Sequence, residues 1–174
     1  SAQLTIINNQ LGFVQPVVFC DPSSVTNGNG SNSNPFNNLA DAITKAVEIK
    51  ATELDLESSG TLTTATQGVN ITAVAETTFL NLGGQNITGS LLSKLIVYGA
   101  CVSGGAQIID SIIGYPGFGT VTGFAGIIRN YLIKHDFGVA GNSLLVNGGT
   151  EHGENHTLTV AENANLSAEQ WSGD

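Results

Sequence analysis

The chain has 174 residues, enough for one domain with a sizeable core, and its 14 acidic against 5 basic residues give a net charge of -9. That balance argues against nucleic-acid binding through phosphate contacts, which needs clustered Lys and Arg, and against an anionic membrane surface. Only 11% of residues are charged and 22 are glycine, so the surface must rest on uncharged polar groups, which favours an all-β chain.

No apolar run reaches transmembrane length; Leu91 to Val97 is short and reads as a buried strand. The N-terminus shows no basic region followed by an apolar one, and Ser1-Ala2 is what an excised initiator Met or a cleaved tag would leave. Cys20 and Cys101 are the only cysteines. They read as buried free thiols, with a disulfide left open to geometry.

From the N-terminus, Leu4 to Ile7 and Val14 to Cys20 read as strands, and Pro16 inside the second marks an edge or a bulge. Residues 1–26 form an N-terminal arm in this reading. Residues 21–34 are a polar loop rich in Asn, Ser and Gly, suited to Asx-turns. Asn34-Pro35 then predicts a helix start, with Asn as cap and Pro in the first turn. Leu39, Ala42, Ile43, Ala46 and Val47 recur at helical spacing, and the helix should end near Lys50. Glu53 to Glu57 alternates strictly, a strand with Leu54 and Leu56 facing in and Glu53, Asp55 and Glu57 as an outward carboxylate ladder.

No helical period follows residue 50. Short apolar runs broken by Gly or Asn take over, and three of them echo one another: Leu91 to Ile96, Ile108 to Ile113 and Ile127 to Ile133. Each has an apolar pair, two polar residues and a further apolar group. Successive copies lie 17 and 19 residues apart, and a fainter copy at Leu144 follows 17 later. Such a period predicts a chain that coils and stacks on itself. Residues 27–166 would give a capping helix plus about six coils, roughly 25–30 Å tall. Residues 167–174 read as a polar tail holding Trp171.

The segment Gly30-Ser31-Asn32-Ser33-Asn34-Pro35-Phe36-Asn37-Asn38-Leu39-Ala40-Asp41-Ala42-Ile43 resembles the entry of right-handed parallel β-helix proteins, a family that includes pectate-lyase-like enzymes and phage tailspikes. The resemblance implies a short right-handed parallel β-helix whose amphipathic helix covers the open end of the column. It further implies a homotrimer on the virion surface, contacting other virion proteins and host glycan. About six coils is fewer than enzymatic members use, which favours display over catalysis. A capsid decoration protein without a ligand, and a polysaccharide lyase or glycoside hydrolase, remain open.

Four constellations could carry chemistry. Tyr98, Tyr115 and Phe118 fall in or near turns after echoed strands; they either form a sugar-binding platform or cap the core at coil corners. Asp110 and Arg129 become neighbours if the echoes stack pair upon pair, and would form a surface ion pair or, in a lyase or hydrolase, a catalytic acid beside an Arg. The carboxylates of Glu53, Asp55 and Glu57 have spacing compatible with glycoside hydrolysis, against the reading of a solvated acidic face. His152, Glu154 and His156 would share one face of an extended strand, a set suited to Zn or Fe. No cofactor and no catalytic residue is assigned. Asn stacked at one corner of successive coils would make a structural ladder.

Overall fold

Residues 16–173 are described by the computed structural model; the predicted strand Leu4 to Ile7 lies outside them. In chain order the elements are β1 (Val17–Cys20), α1 (Leu39–Ile49), β2 (Glu53–Leu56), β3 (Gly60–Thr61), β4 (Ile71–Ala73), β5 (Phe79–Asn81), β6 (Leu91–Ser93), β7 (Ile96–Ala100), β8 (Ala106–Ile113), β9 (Val121–Phe124), β10 (Gly126–Ile133), β11 (Phe137–Val139), β12 (Ser143–Thr150), β13 (Leu158–Val160) and β14 (Leu166–Ser172).

Buried and outward residues alternate in β1, β2, β4 and β11 and on either side of the corner in β8 and β10, and all pairings between the named strands are parallel. The chain is therefore an all-β parallel solenoid of about six turns, as the repeat predicts. One column of side chains displays the logic: Val18, Leu54, Ile71, Leu92, Ile108, Ile128 and Leu145 stack rung on rung, all buried. Their apolar area, removed from water along the whole axis, is the main favourable term in the fold. A second line runs through Leu80, Val97, Ile113 and Ile133. A third stacks Val121 on Phe137 between β9 and β11.

The echoed strands do lie on each other, with Leu91, Ile127 and Leu144 in one column as predicted and the second copy alone one residue out of register. Leu92 stacks on Ile108 and Ile128, and Leu91 on Gln107 and Ile127. The position that repeats is a left-handed kink. Lys94, Asp110, Asn130, Asn147 and Gln170 all have φ between 49° and 57°, and each bends its rung at the same corner. Asn and Asp visit this conformation more cheaply than most non-glycine residues. Two of the corner amides also form the expected ladder: Asn147 Nδ2 donates to Asn130 Oδ1 at 2.8 Å, and Asn130 Nδ2 to Asp110 Oδ1 at 3.0 Å.

Helix α1 begins later than Asn34-Pro35 predicts. Phe36 is engaged in pairing with β1: its N–H donates to Phe19 O at 3.0 Å, and Asp21 N–H donates to Phe36 O at 2.7 Å. The cap is Asn38, whose Oδ1 accepts from Asp41 N–H at 2.9 Å while its Nδ2 donates to Asp41 Oδ2 at 2.9 Å. Leu39, Ala42, Ile43 and Ala46 are buried, and the helix packs against β1 and β2, covering the first rungs. Replacing Asn38 by Ala leaves Asp41 N–H without that acceptor, and is expected to lower stability by about 1 kcal/mol in urea melts.

Both ends of the sequence reading shift. Val17–Cys20, placed in the arm, is the first rung and pairs with β2. Residues 166–172, mostly placed in the tail, form β14, which pairs with β12 and brings Trp171 to 6.4 Å from Tyr131. Its polarity misled because its side chains are mostly exposed, Ser167 to Gln170 among them. Cys20 and Cys101 are both buried free thiols, and burial pushes each up to about 12.

Candidate functional site

Tyr98, Tyr115 and Phe118 come together on the outside of the column, joined by Phe79, which sequence reasoning missed. Each has a local reason for its place. Phe79 opens β5 beside buried Leu80 and so faces out, and Tyr98 faces out from β7 beside buried Val97. Tyr115 and Phe118 stand at the two ends of a turn. Phe118 N–H donates to Tyr115 O at 3.0 Å across Pro116 and Gly117, and Gly117 has φ 84°. Pro then Gly with positive φ is the requirement of a type II turn.

Phe118 stacks on Phe79 at 4.3 Å between ring centroids and 22° between planes. Tyr115 meets Phe79 edge-on at 5.2 Å, and Tyr98 meets Phe118 at 5.5 Å. Such rings hold one another at preferred edge and offset geometries. Phe118 remains 51% exposed, so the cluster reaches solvent. Lys134 Nζ lies 5.8 Å from the Tyr115 centroid and 2.8 Å from Glu151 Oε1. The hydrogen bond that Lys134 donates to Glu151 raises the ammonium above its ordinary range and fixes a positive charge at the ledge's rim.

Asp110 and Arg129 do not join this ledge, nor each other. In the observed register Arg129 sits beside Ile109 and Val146, and Asp110 beside Asn130. The corner kink sets this offset. Asp110 instead shares a cleft of about 410 Å³ with Glu76 and Lys94. The stretch from Glu151 to Glu154 is a turn rather than an extended strand, with Gly153 at φ 81°, so the alternation that would align His152, Glu154 and His156 is absent. Among the described residues no three His, Cys, Asp or Glu side chains gather as a metal set. His156 instead stacks on His135, centroids 6.5 Å apart.

Glu53 and Asp55 do face out from β2, between buried leucines. Asp55 is half-buried, its Oδ1 buried without a hydrogen-bond partner. Burial pushes its carboxyl up to about 6, the like charges of Glu53 and Glu57 add to this, and Lys94 opposes it. A carboxyl that is harder to ionise in the fold than in the unfolded chain weakens the fold as pH rises from about 4 to about 6. Asp55→Asn is therefore expected to flatten that slope and to stabilise the protein at pH 7.5 by about 1–2 kcal/mol, after allowance for solvent screening. Urea melts at pH 4 and pH 7.5 check it; an equal shift at both would assign the effect to packing.

Fold and site together define a short parallel β-solenoid carrying an exposed aromatic ledge on its wall. No protein-family model, no curated protein and no solved structure matches the chain.

Proposed function

We propose that this chain is a structural protein of a virion surface, of tail-fibre, tailspike or spike type, whose solenoid holds host glycan on the ledge of Phe79, Tyr98, Tyr115 and Phe118. The observation that carries the reading is the exposure of Phe118, braced by three rings on a stacked β scaffold. Aromatic faces pack on the apolar faces of sugars, and a surface already stacked loses little entropy on binding. The net charge of -9 repels polyanionic glycans, which narrows the ligand to neutral ones. Ile112 and Leu132 are half-buried on the outward side of β8 and β10, next to buried Ile113 and Ile133. An outward apolar stripe of this kind supports assembly of the chain as a homotrimer.

A glycan array, an assay for released reducing ends and light scattering test the reading together. A trimer that retains neutral oligosaccharide without cleaving it is expected. Released ends would assign the chain to hydrolases or lyases, with Asp55 the first residue to substitute. An array with no retained glycan would overturn the attachment reading and favour a decoration role.

A further inference from the structure

Beside the ledge, the wall of the column carries an open trough of about 400 Å³, lined among others by Thr120, Thr122, Asp136, Gly138 and Thr159. Its floor is a gap in a row of side chains. Gly138 is paired with Thr159 on one side, and Thr122 lies alongside on the other. The middle rung alone has no side chain, so the threonines on the flanking rungs become the two walls.

Nothing in the backbone requires that glycine. Gly138 is absent from the residues with positive φ, and a Cβ built on it would meet Thr122 at 3.6–3.7 Å, ordinary van der Waals contact. Glycine inside a strand is destabilising, and one kept without steric cause marks a place where something else approaches the backbone. The rung below supports this: a β-bulge at Thr122 and Gly123 interrupts the register between β9 and β11 at the trough's wall.

We propose that the trough is a subsite for one neutral sugar ring of an oligosaccharide whose other units lie on the aromatic ledge. Placement and chemistry both fit. Thr120 follows directly on Gly119, whose carbonyl accepts the Tyr115 N–H at 3.1 Å, so the trough begins where the ledge's turn ends. The walls offer threonine hydroxyls to a sugar's hydroxyls and threonine methyls to its ring carbons. Asp136 is anchored by the Thr157 N–H on its Oδ1 at 2.7 Å. Its carboxylate is an acceptor for a ligand hydroxyl. Among the described residues no Lys, Arg or His lines the trough, so a sialic or uronic acid would face that carboxylate uncompensated. The volume falls within the range of small-ligand sites.

This inference rests on the glycan reading of the ledge, and chain length separates the two. Calorimetric titration with neutral oligosaccharides of about two to six hexose units uses the wild type, Gly138→Thr, Gly138→Ala and Phe118→Ala. The wild type is expected to gain about tenfold or more in affinity from the short to the long members, the scale of a few well-placed contacts. Gly138→Thr fills the trough and should lose that gain while binding the short members unchanged, with Gly138→Ala between. Its melting temperature should rise by about 2–4 °C, which shows that the loss is not unfolding. A wild-type-like length dependence in Gly138→Thr would overturn the subsite and leave the ledge standing. A length dependence removed by Gly138→Thr, with Phe118→Ala leaving the affinity of short and long members alike unchanged, would keep the trough and remove the ledge. A wild type that binds no member overturns both.

Discussion

Gly126→Ala is expected to cost about 3–5 kcal/mol, a large share of the stability of a domain this size. Two costs add. Gly126 has φ 152°, a backbone conformation that side-chain-bearing residues rarely adopt. Its Cα also pairs with Ala106 on the rung below, and a Cβ there would overlap the Ala106 carbonyl oxygen. That oxygen belongs to the ladder between β8 and β10, so relief requires the rungs to part at one of their longest contacts. Gly117→Ala is the control. Its φ is 84°, yet a Cβ there meets nothing within 4 Å, so it should lose only the conformational part, about 1 kcal/mol. Chemical denaturation of both variants reads the difference. Equal losses would mean that the two rungs are not in contact at Gly126, and the stacked column would fail with them.

The same close stacking explains what could be read from the sequence and what could not. The coil period was legible because every turn must return an apolar residue to the core column. The register of the second copy was not, because the outward positions are apolar too. Ile109, Ile127 and Leu144 face away from the core, so the paired apolar residues match equally well one step out of phase. The kink residue was the better marker: Asp110, Asn130 and Asn147 are types that tolerate the left-handed corner, and aligning on them gives the observed pairing. Lys94 blurs that signal in the first copy. Tyr98, Tyr115 and Phe118 were findable by type and by their turns. Phe79 was not, since it belongs to a lower rung and meets Phe118 only through stacking. The trough was invisible for a further reason: a glycine that could carry a side chain looks, in one sequence, like any other glycine.

Phe118→Ala is the second change with a large expected effect, and it decides between the two roles the sequence left open for these aromatics. Phe118 is half exposed and its turn is closed by backbone bonds, so its removal should leave the melting temperature nearly unchanged. On the glycan reading it should weaken oligosaccharide binding about 30-fold or more, the effect of losing an aromatic hot spot worth about 2 kcal/mol. Phe118→Trp keeps a stacking face and should restore most of that binding. Phe79→Ala should lose both stability and binding, because its ring is packed beneath Phe118 and beside Tyr115. If the rings only close the corner of a coil, Phe118→Ala would instead lower stability like a buried deletion, about 3 kcal/mol, and leave any binding intact. Affinity and melting temperature, measured on the same three variants, move in opposite patterns under the two readings.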